Sequence, residues 1–390
     1  MSDQPATKTP KPRSSPSKPT SPKTKTKPTA GLPLERGPEK TVDFVFDAPH
    51  DQHEGSDPIY DNVSAIAVSG TTIFCSCDEN ATIERLVYDP ATGTASGHSS
   101  FALSHLFDLV DGEEGEIDIE GLSVSDGYLW ICGSHALKRA KIKEGIEDLA
   151  RIKWDANRGF LGRIALTALE RLMGKSEAAI LASAPAHREH AAMLKMREGP
   201  DSVIRKLLAK DPIIGAYVGL PSKENGFDIE GLSVFGDAVL LGLRGPVING
   251  YAVIVRIKVE VTKKGALKLA RLADGSRYSL QVIDLNGQGI RELKWSEGRL
   301  MLLSGATTKL EALQSVFTID DYSPDRPFYD AGSVSRVLDF PPIRGADHAE
   351  GMGIIDDGGT PRLLVVYDAP HQRRIDHAAH RLTCDLFDFA

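Results

Sequence analysis

The sequence predicts an all-β fold, a β-propeller of five blades with room for a sixth, carrying a helical insertion in its second blade. Two observations predict it. A strand–turn–strand pattern of similar sequence recurs about every 60 residues, and further strands follow each copy; an antiparallel meander repeated at such spacing is typical of a propeller blade. The one wide gap between copies has a helical composition, which predicts the insertion.

The composition fits a soluble globular protein. The 390 residues are 41% hydrophobic and 26% charged, with a mean hydropathy of -0.20. No apolar run approaches the ~18 residues of a membrane span, and the N-terminus lacks the apolar core of a signal peptide. The four cysteines are too few for a disulfide scaffold and show no C-x-x-C spacing. We therefore expect a cytoplasmic protein without a membrane partner.

Residues 1–40 form a basic leader. They contain nine basic and three acidic residues and nine of the 23 prolines, whereas the rest of the chain is acidic. A segment so poor in large apolar residues cannot offset its ordering entropy, so we expect it to be disordered. A solubilising leader is favoured over a weak contact with nucleic acid or an anionic surface, and no specific nucleic-acid partner is expected. Residues 41–390 are predicted to form the propeller domain.

The predicted blades follow in chain order. Each opens with a strand, a Gly/Asp turn and a second strand, which together form a β-hairpin. The opening strands are 63–68, 119–124, 229–234, 291–295 and 349–354. A closed ring must join its first and last blades or leave sheet edges exposed. We therefore predict that the strand at 41–46 adds to the final blade beside the strand at 381–387.

The insertion is predicted at about 141–211. Segments 145–153 and 184–210 are rich in Ala, Leu, Lys and Glu, including the run 190–196, and are predicted to be helical, with a strand at 162–166 between them. A two-domain split at this point is the alternative. A lid over one mouth of the propeller is also compatible with the pattern, although a surface insertion is favoured.

Propeller geometry predicts which polar and charged side chains lie close together. The start of each inner strand and the loop after each second strand lie on the same rim of the disc. The strand starts bring Glu120, Glu230, Glu292 and Glu350 to this rim. The loops bring Asp78, His135, Lys138, Arg139, Arg244 and Asp368, and Asn225 precedes the second glutamate.

Like-charged glutamates near one axis repel unless a raised pKa, a cationic partner or a metal compensates them. We predict that Glu120, Glu230 and Glu350 hold a divalent cation, Ca²⁺ or Mg²⁺, since an oxygen-rich ring suits both. The alternative is architectural: the glutamates accept backbone hydrogen bonds, and the glycines that follow them let blades approach closely. Those glycines are Gly121, Gly231 and Gly351.

The remaining rim residues are assigned to a small anionic ligand. Arg244 in its Gly/Pro-rich loop fits a carboxylate or phosphate, unless it forms a salt bridge to a channel glutamate. The other predicted binding residues are Lys138, Arg139, Asp78, Asn225 and Asp368. His135 and Glu292 are the candidates for moving a proton, although a loop histidine is more often a surface residue.

Four motifs resemble a known family. They are the runs that begin at Asp118 (D-I-E-G-L), Gly133 (G-S-H-x-x-K-R), Pro221 (P-S-K-E-N-G-F-D) and Leu241 (L-G-L-R-G-P-V). Together they resemble a family of bacterial proteins catalogued only as a domain of unknown function. The repeated Glu-Gly-Leu strand start is more loosely similar to propellers of the esterase-like phytase and gluconolactonase–regucalcin groups. That resemblance implies a divalent metal in the channel and hydrolysis of phosphoesters or lactones.

Three functions remain open at this point. The first is a metal-dependent hydrolase, the second a non-catalytic scaffold that binds a small anionic ligand or a partner protein, and the third a purely structural channel. No P-loop, dinucleotide fingerprint, H-E-x-x-H helix or G-x-S-x-G elbow occurs in the sequence. Nucleotide-dependent, hydride-transfer and serine-hydrolase activities are therefore disfavoured, and the oligomeric state is not predicted.

Overall fold

The structure, a computed structural model, describes residue 1 and residues 34–47, 58–77, 79–113 and 115–388. All the elements below lie within the unit Leu34–Ala390. Most of the predicted leader lies outside the described residues. The described part of the chain is mostly β, with 47% strand and 14% helix.

The described strands form five meanders of four strands each. Numbered in chain order, they are meander 1 (Val63–Ser69, Thr72–Cys77, Thr82–Asp89, Thr94–Ala102), meander 2 (Ile119–Ser125, Tyr128–Gly133, Leu161–Ala165, Ala191–Met193), meander 3 (Asp228–Phe235, Ala238–Ile248, Tyr251–Ile257, Tyr278–Ile283), meander 4 (Gly289–Ser296, Arg299–Gly305, Gln314–Ile319, Ser335–Phe340) and meander 5 (His348–Asp356, Pro361–Asp368, Arg381–Asp388, Lys40–Val45). The first strand named for each meander is its inner strand.

Smaller elements join the meanders. The short strands are Lys138–Arg139 with Ile152–Lys153, Val259–Val261 with Leu267–Leu269, Phe328–Tyr329 beside meander 3, and Ile375–Asp376 beside meander 5. The α-helices are Leu166–Leu172, Glu177–Ser183 and Val203–Leu208. The 3₁₀ turns are Ile59–Asp61, Leu103–His105, Ile146–Ala150, Ala156–Gly159, Ala184–His190, Gly215–Tyr217, Ser222–Glu224 and Gln372–Arg374. Among the described residues, no helix is long and apolar enough to cross a bilayer.

The N-terminal strand closes the ring. Lys40–Val45 pairs antiparallel with Arg381–Asp388, with Val42 opposite Cys384, so the predicted pairing of the two ends is confirmed. The same strand touches Thr94–Ala102 in parallel through two residues. Meanders 5 and 1 therefore belong to one continuous sheet, and neither leaves an exposed edge at this junction.

Five buried apolar clusters lie between consecutive meanders. Representative pairs are Phe74 with Leu129 (meanders 1 and 2), Cys132 with Leu241 (2 and 3), Leu240 with Leu302 (3 and 4), Leu303 with Val365 (4 and 5) and Leu364 with Ile73 (5 and 1). Each meander thus buries one face against the preceding meander and the other against the next. The succession returns to its start, so the sheets surround a common axis.

The helical prediction for 184–210 is correct only in part. Ala184–His190 is a 3₁₀ turn and Val203–Leu208 is an α-helix, but Ala191–Met193, which was predicted to be helical, is a strand. It pairs with Leu161–Ala165, placing Ala192 opposite Arg163. Completing the edge of meander 2 outweighs the local helix propensity of this run.

A β-bulge near the start of each inner strand positions the residues of interest. In every meander the pairing of the inner strand with its neighbour slips by one residue, so two inner-strand residues oppose one partner residue. The extra residues are Ser64, Glu120, Glu230, Arg291 and Glu350. The bulges therefore present one equivalent side chain from each meander.

Glycines after three of the bulges allow adjacent inner strands to approach. A Cβ added at Gly121 would lie 2.5 Å from the Cβ of Leu232, and one at Gly231 would lie 2.9 Å from the Cγ of Leu293. Both distances are shorter than real Cβ contacts. The predicted close approach is confirmed for Gly121 and Gly231, where it joins neighbouring sheets.

Candidate functional site at the mouth of the ring

Two adjoining cavities lie where the inner strands begin, and we call them together the mouth. The first lobe has a volume of about 500 Å³ and the second about 380 Å³, which is the size range of small-molecule sites. Five residues line both lobes: Lys223, Arg244, Lys309, Glu350 and Asp368. The lobes are therefore parts of one site.

The bulges bring three of the four predicted glutamates to the mouth. Glu120, Glu230 and Glu350 all line the first lobe. Glu292 does not, because the bulged residue of meander 4 is Arg291, which lines the second lobe. The predicted equivalence of Glu292 with the other glutamates is therefore wrong by one residue, and an arginine takes its place in the ring.

Glu292 is instead a buried partner of Lys294. Its side chain is fully enclosed, it accepts a hydrogen bond from the N–H of Leu293, and Lys294 Nζ lies 2.8 Å from its carboxylate. Burial raises the pKa of Glu292 to about 7 despite the nearby ammonium. A carboxyl group in this position does not reach a ligand at the mouth, so the predicted catalytic role of Glu292 does not fit the structure.

Two arginines bind the glutamates of the ring. Arg244 lies 2.6 Å from both Asp228 and Glu230, and Arg291 Nε lies 2.9 Å from the other oxygen of Glu230. Arg291 also forms an ion pair with Glu350. Burial nevertheless raises the pKa of Glu230, because the two guanidinium groups only partly compensate its desolvation.

This arrangement does not fit a divalent cation on Glu120, Glu230 and Glu350. Each oxygen of Glu230 already faces a guanidinium group, and one oxygen of Glu350 does so too. A cation bound there would sit beside two fixed positive charges. Within the described part of the chain, no group of three or more His, Cys, Asp and Glu side chains is arranged to hold a metal ion.

A second ion-pair network lines the first lobe. Arg158 lies 2.6 Å from Asp118 and also pairs with Glu116, while Lys138 Nζ lies 2.6 Å from Glu116. Burial raises the pKa of Asp118 to about 7, and the charge of Glu116 adds to the effect against the opposing influence of Arg158. Asp118 therefore changes its protonation state near neutral pH.

Three lysines of the mouth, Lys141, Lys223 and Lys309, form no ion pair among the described residues, and of these Lys223 and Lys309 line both lobes. Partial burial and the charges of Arg244 and Lys309 lower the pKa of Lys223. Lys223, Arg244 and Lys309 all line both lobes, so these three cations face the same cavity. The Nε of Arg244 is buried and has no hydrogen-bond partner among the described atoms. Lys223 and Lys309 therefore lie at the junction of the lobes without an ion pair, although the carboxylates of Glu350 and Asp368 line the same junction.

His348 and Asp368 lie on the second lobe. A hydrogen bond to Asp368, together with the charge of Glu311, raises the pKa of His348 above its usual value. The pKa of Asp368 is lowered, since the contacts with His348 and Arg291 outweigh its burial. His348 is 3.2 Å from Glu311. This pair therefore places at the mouth a histidine whose charged form is stabilised by a neighbouring carboxylate.

Two of the predicted basic residues lie at the mouth in ion pairs. Lys138 and Arg139 line the first lobe. Lys138 pairs with Glu116, and Arg139 Nη2 donates to Glu224 at 2.8 Å. Their charges are largely balanced locally, unlike those of Lys223 and Lys309.

His135 does not lie at the mouth. It is fully buried, with Nδ1 2.9 Å from the Ser202 hydroxyl and Nε2 3.2 Å from the carbonyl of Phe160. Burial and the charge of Arg205 lower its pKa to about 3, so the ring stays neutral. The predicted proton-moving role does not fit this position, because the ring is buried and Ser202 and Phe160 occupy both of its nitrogens.

Asn225 has a structural role, and Asp78 lies outside the described residues. The side chain of Asn225 accepts from the N–H of Val247 at 2.8 Å and donates to its carbonyl at 3.3 Å. Its backbone is in the left-handed region, with a φ of 59°, which asparagine tolerates well. Asn225 thus holds two loops together and does not line either lobe.

The sequence reasoning missed Arg158, Arg291 and Lys309. Arg291 had a signal: Ile290 and Leu293 frame it with the spacing at which Ile119 and Leu122 frame Glu120. Lys309 follows the second strand of meander 4, so the rim rule applied to that loop would have found it. No sequence pattern pointed to Arg158, because it reaches the mouth from the 3₁₀ turn Ala156–Gly159, outside the repeated hairpins.

The fold and mouth define a mostly β protein whose sheets surround a charged ligand-sized cavity. Its sequence assigns it to a family: a family model described as a protein of unknown function, DUF3616, matches residues 62–385. The chain therefore belongs to the DUF3616 family, which confirms the resemblance to a family of unknown function. No curated protein matches the sequence.

Several solved structures are similar over most of their length. A calcium-binding protein, regucalcin from Agrobacterium tumefaciens, shares 13% identity over 85% of this chain and 90% of its own, with a TM-score of 0.33. A streptogramin B lyase shares 9% identity over 89% and 97%, with a TM-score of 0.32. A luciferin-regenerating enzyme shares 9% over 85% and 95%, also with a TM-score of 0.32.

Proposed function

We propose that the mouth binds a small anionic ligand, held at the junction of its lobes by Lys223, Lys309 and Arg244. The observation that carries the proposal is that the two lysines have no carboxylate partner within the described part of the chain, although carboxylates surround them. Cations that repel one another gain most from a shared anion, and the partly enclosed cavity strengthens that attraction.

The architecture proposed for this site is a five-bladed propeller. Each meander serves as one blade, and the helical segments after Tyr128–Gly133 form an insertion in the second blade. The Gly-containing loops around Arg244 support the site, because a Cβ at Gly245 would lie 2.3 Å from the carbonyl of Gly226. The four cysteines are free and buried, which agrees with a cytoplasmic location.

Calorimetric titration with inorganic phosphate and with citrate tests the proposal. The double variant Lys223→Met/Lys309→Met should bind the preferred anion roughly a hundredfold to ten-thousandfold more weakly, because it loses two charge-assisted hydrogen bonds that are each worth about 1.5–3 kcal/mol. The control is Lys263→Met/Lys264→Met, which removes two exposed lysines from a distant hairpin turn. Equal affinities for the two double variants would contradict the proposal.

A metal-free site is part of the proposal. The carboxylates that were predicted to hold Ca²⁺ or Mg²⁺ are engaged by Arg244 and Arg291. Calcium binding is a property stated for the regucalcin structure. The function proposed for this chain uses the arginine-bound glutamates to fix the cations around the anion.

Hydrolysis of a bound phosphoester or lactone is the second candidate, favoured by Asp118. This carboxyl group lines the first lobe, and its pKa of about 7 suits a general acid. A general acid acts in its protonated form, so the rate should fall as the pH rises through about 7. A screen of model phosphoesters and lactones measures this, with Asp118→Asn expected to abolish turnover while anion binding persists. Turnover that survives in Asp118→Asn would remove Asp118 from the mechanism.

A further inference from the structure

A separate cavity lies at the opposite end of the inner strands. Its volume is about 360 Å³, and all five inner strands contribute to it. Residues four positions after the bulges form an apolar ring around it: Val68, Val124, Val234, Trp295 and Ile354. This cavity goes beyond the anion site, which lies at the starts of the same strands.

The lining of this cavity differs in chemistry from the mouth. Its formally charged side chains are Asp126 and Lys294, whereas more than a dozen charged residues line the mouth. Phe235 and Trp295 stack beside it with their ring centroids 4.3 Å apart and an interplanar angle of 15°. Serine hydroxyls complete the wall at Ser123, Ser125 and Ser296. The cavity thus combines an apolar ring of side chains with hydroxyl and ammonium groups, which suits a neutral molecule that has both an apolar ring and a hydrogen-bonding group.

Lys294 supplies a fixed hydrogen-bond donor. Its Nζ donates to the carbonyl of Leu122 at 2.6 Å and lies 2.8 Å from Glu292. An ammonium group has three N–H donors, so one remains for a ligand. Since Glu292 balances the charge, an uncharged acceptor suits the donor as well as an anion does, and the apolar wall disfavours a charged one.

We propose that this cavity binds a small neutral molecule that has a planar ring, which packs on the apolar wall beside Trp295, and a carbonyl oxygen, which accepts a hydrogen bond from Lys294. The other four inner strands make room for this donor, because the residues equivalent to Lys294 are small: Ala67, Ser123, Ser233 and Gly353. The position therefore combines one long polar side chain with a ring of short ones.

Acetophenone is a suitable probe, because it combines a ring with a carbonyl and carries no charge that would direct it to the mouth. Titration followed by NMR should shift the indole N–H signal of Trp295 and leave those of Trp130 and Trp154 in place. Ethylbenzene, which lacks the carbonyl, should bind roughly tenfold more weakly. No shift at Trp295 with millimolar acetophenone, or equal affinity for ethylbenzene, would overturn the proposal.

A filled cavity provides a second test. Ser125→Phe should reduce acetophenone affinity at least tenfold, because Ser125 lines the cavity. The matched control is Ser69→Phe, at the same strand position of meander 1 but outside the lining; its affinity should equal that of the wild type. Equal loss or equal retention in the two variants would contradict the proposal. Phosphate binding at the mouth, measured in the same samples, should be unchanged, so the two sites are tested independently.

Discussion

At the scale of single residues, Arg291 decides the chemistry of the mouth. It occupies the ring position that three other meanders fill with glutamate, and it contacts two of those glutamates. An arginine at one of these equivalent positions thus balances the charges of carboxylates that would otherwise repel one another. The same ion pairs occupy the carboxylate oxygens that a metal ion would need.

Arg291→Met should destabilise the fold by about 3 kcal/mol. The change leaves Glu350 and one oxygen of buried Glu230 without a cation, and an unpaired buried charge costs more than the intact pair contributes. Urea unfolding monitored by circular dichroism measures the change. Adding Glu350→Gln to the variant should recover about half of the loss, since one of the two stranded charges disappears. Unchanged stability in Arg291→Met would show that the ion pairs are not formed in solution.

The residue scale also shows what a repeat pattern predicts and what it misses. The Ile-Glu-Gly-Leu runs placed Glu120 and Glu230 correctly, because periodic apolar residues set the strand register. Matching Glu292 to them by residue type was wrong. The spacing of the apolar residues Ile290 and Leu293 sets the register, which places Arg291 at the bulge. The unpaired state of Lys223 depends on distances to neighbours far away in sequence, which no local pattern contains.

At the scale of elements, bulges and close-packed glycines bring the loops of the mouth together. Each bulge re-aims one side chain at the start of an inner strand. Next to it, backbone packs on backbone between meanders. A Cβ added at Gly289 in meander 4 would lie 1.9 Å from the carbonyl oxygen of Arg244 in meander 3. The position of Arg244 at the mouth therefore depends on a residue without a side chain in the next sheet.

Gly289→Ala should lower the free energy of unfolding by about 1–3 kcal/mol, because the backbone must move to accept the methyl group. It should also weaken anion binding, since the shift displaces Arg244. The matched control is Gly219→Ala, where nothing lies within 4 Å of the added carbon; there the change should stay within about 0.5 kcal/mol. Denaturant unfolding of both variants gives the comparison, and equal stabilities would contradict the proposed packing.

Strands were predicted best where apolar and polar residues alternate strongly along the sequence. The hairpins that open each meander and the strand that joins the two ends follow from alternation and turn residues. The segment 141–211 was harder to predict, because Ala191–Met193 has helix-forming residues but completes the sheet of meander 2. Ser202 of the same segment contacts the ring of His135, and burial by a distant segment is not visible in a local sequence motif.

At the scale of the whole molecule, closure of the ring determines the two ends of the central axis. Five apolar clusters join consecutive meanders, and Lys40–Val45 completes the last one. The starts of the inner strands of meanders 2 to 5 line the charged mouth, and the ends of all five inner strands line the second cavity. Lys294, the partner of buried Glu292, lines the second cavity. One topology thus produces two cavities with different linings.

The most direct test of the anion site is an anomalous difference map from crystals soaked in tungstate, a strongly scattering oxyanion. The account predicts a peak at the junction of the two lobes, within contact distance of the Lys223 and Lys309 amines and beside Arg244. The peak should vanish in crystals of Lys223→Met/Lys309→Met. A map with tungstate bound only elsewhere, or with the mouth peak retained in the double variant, would contradict it.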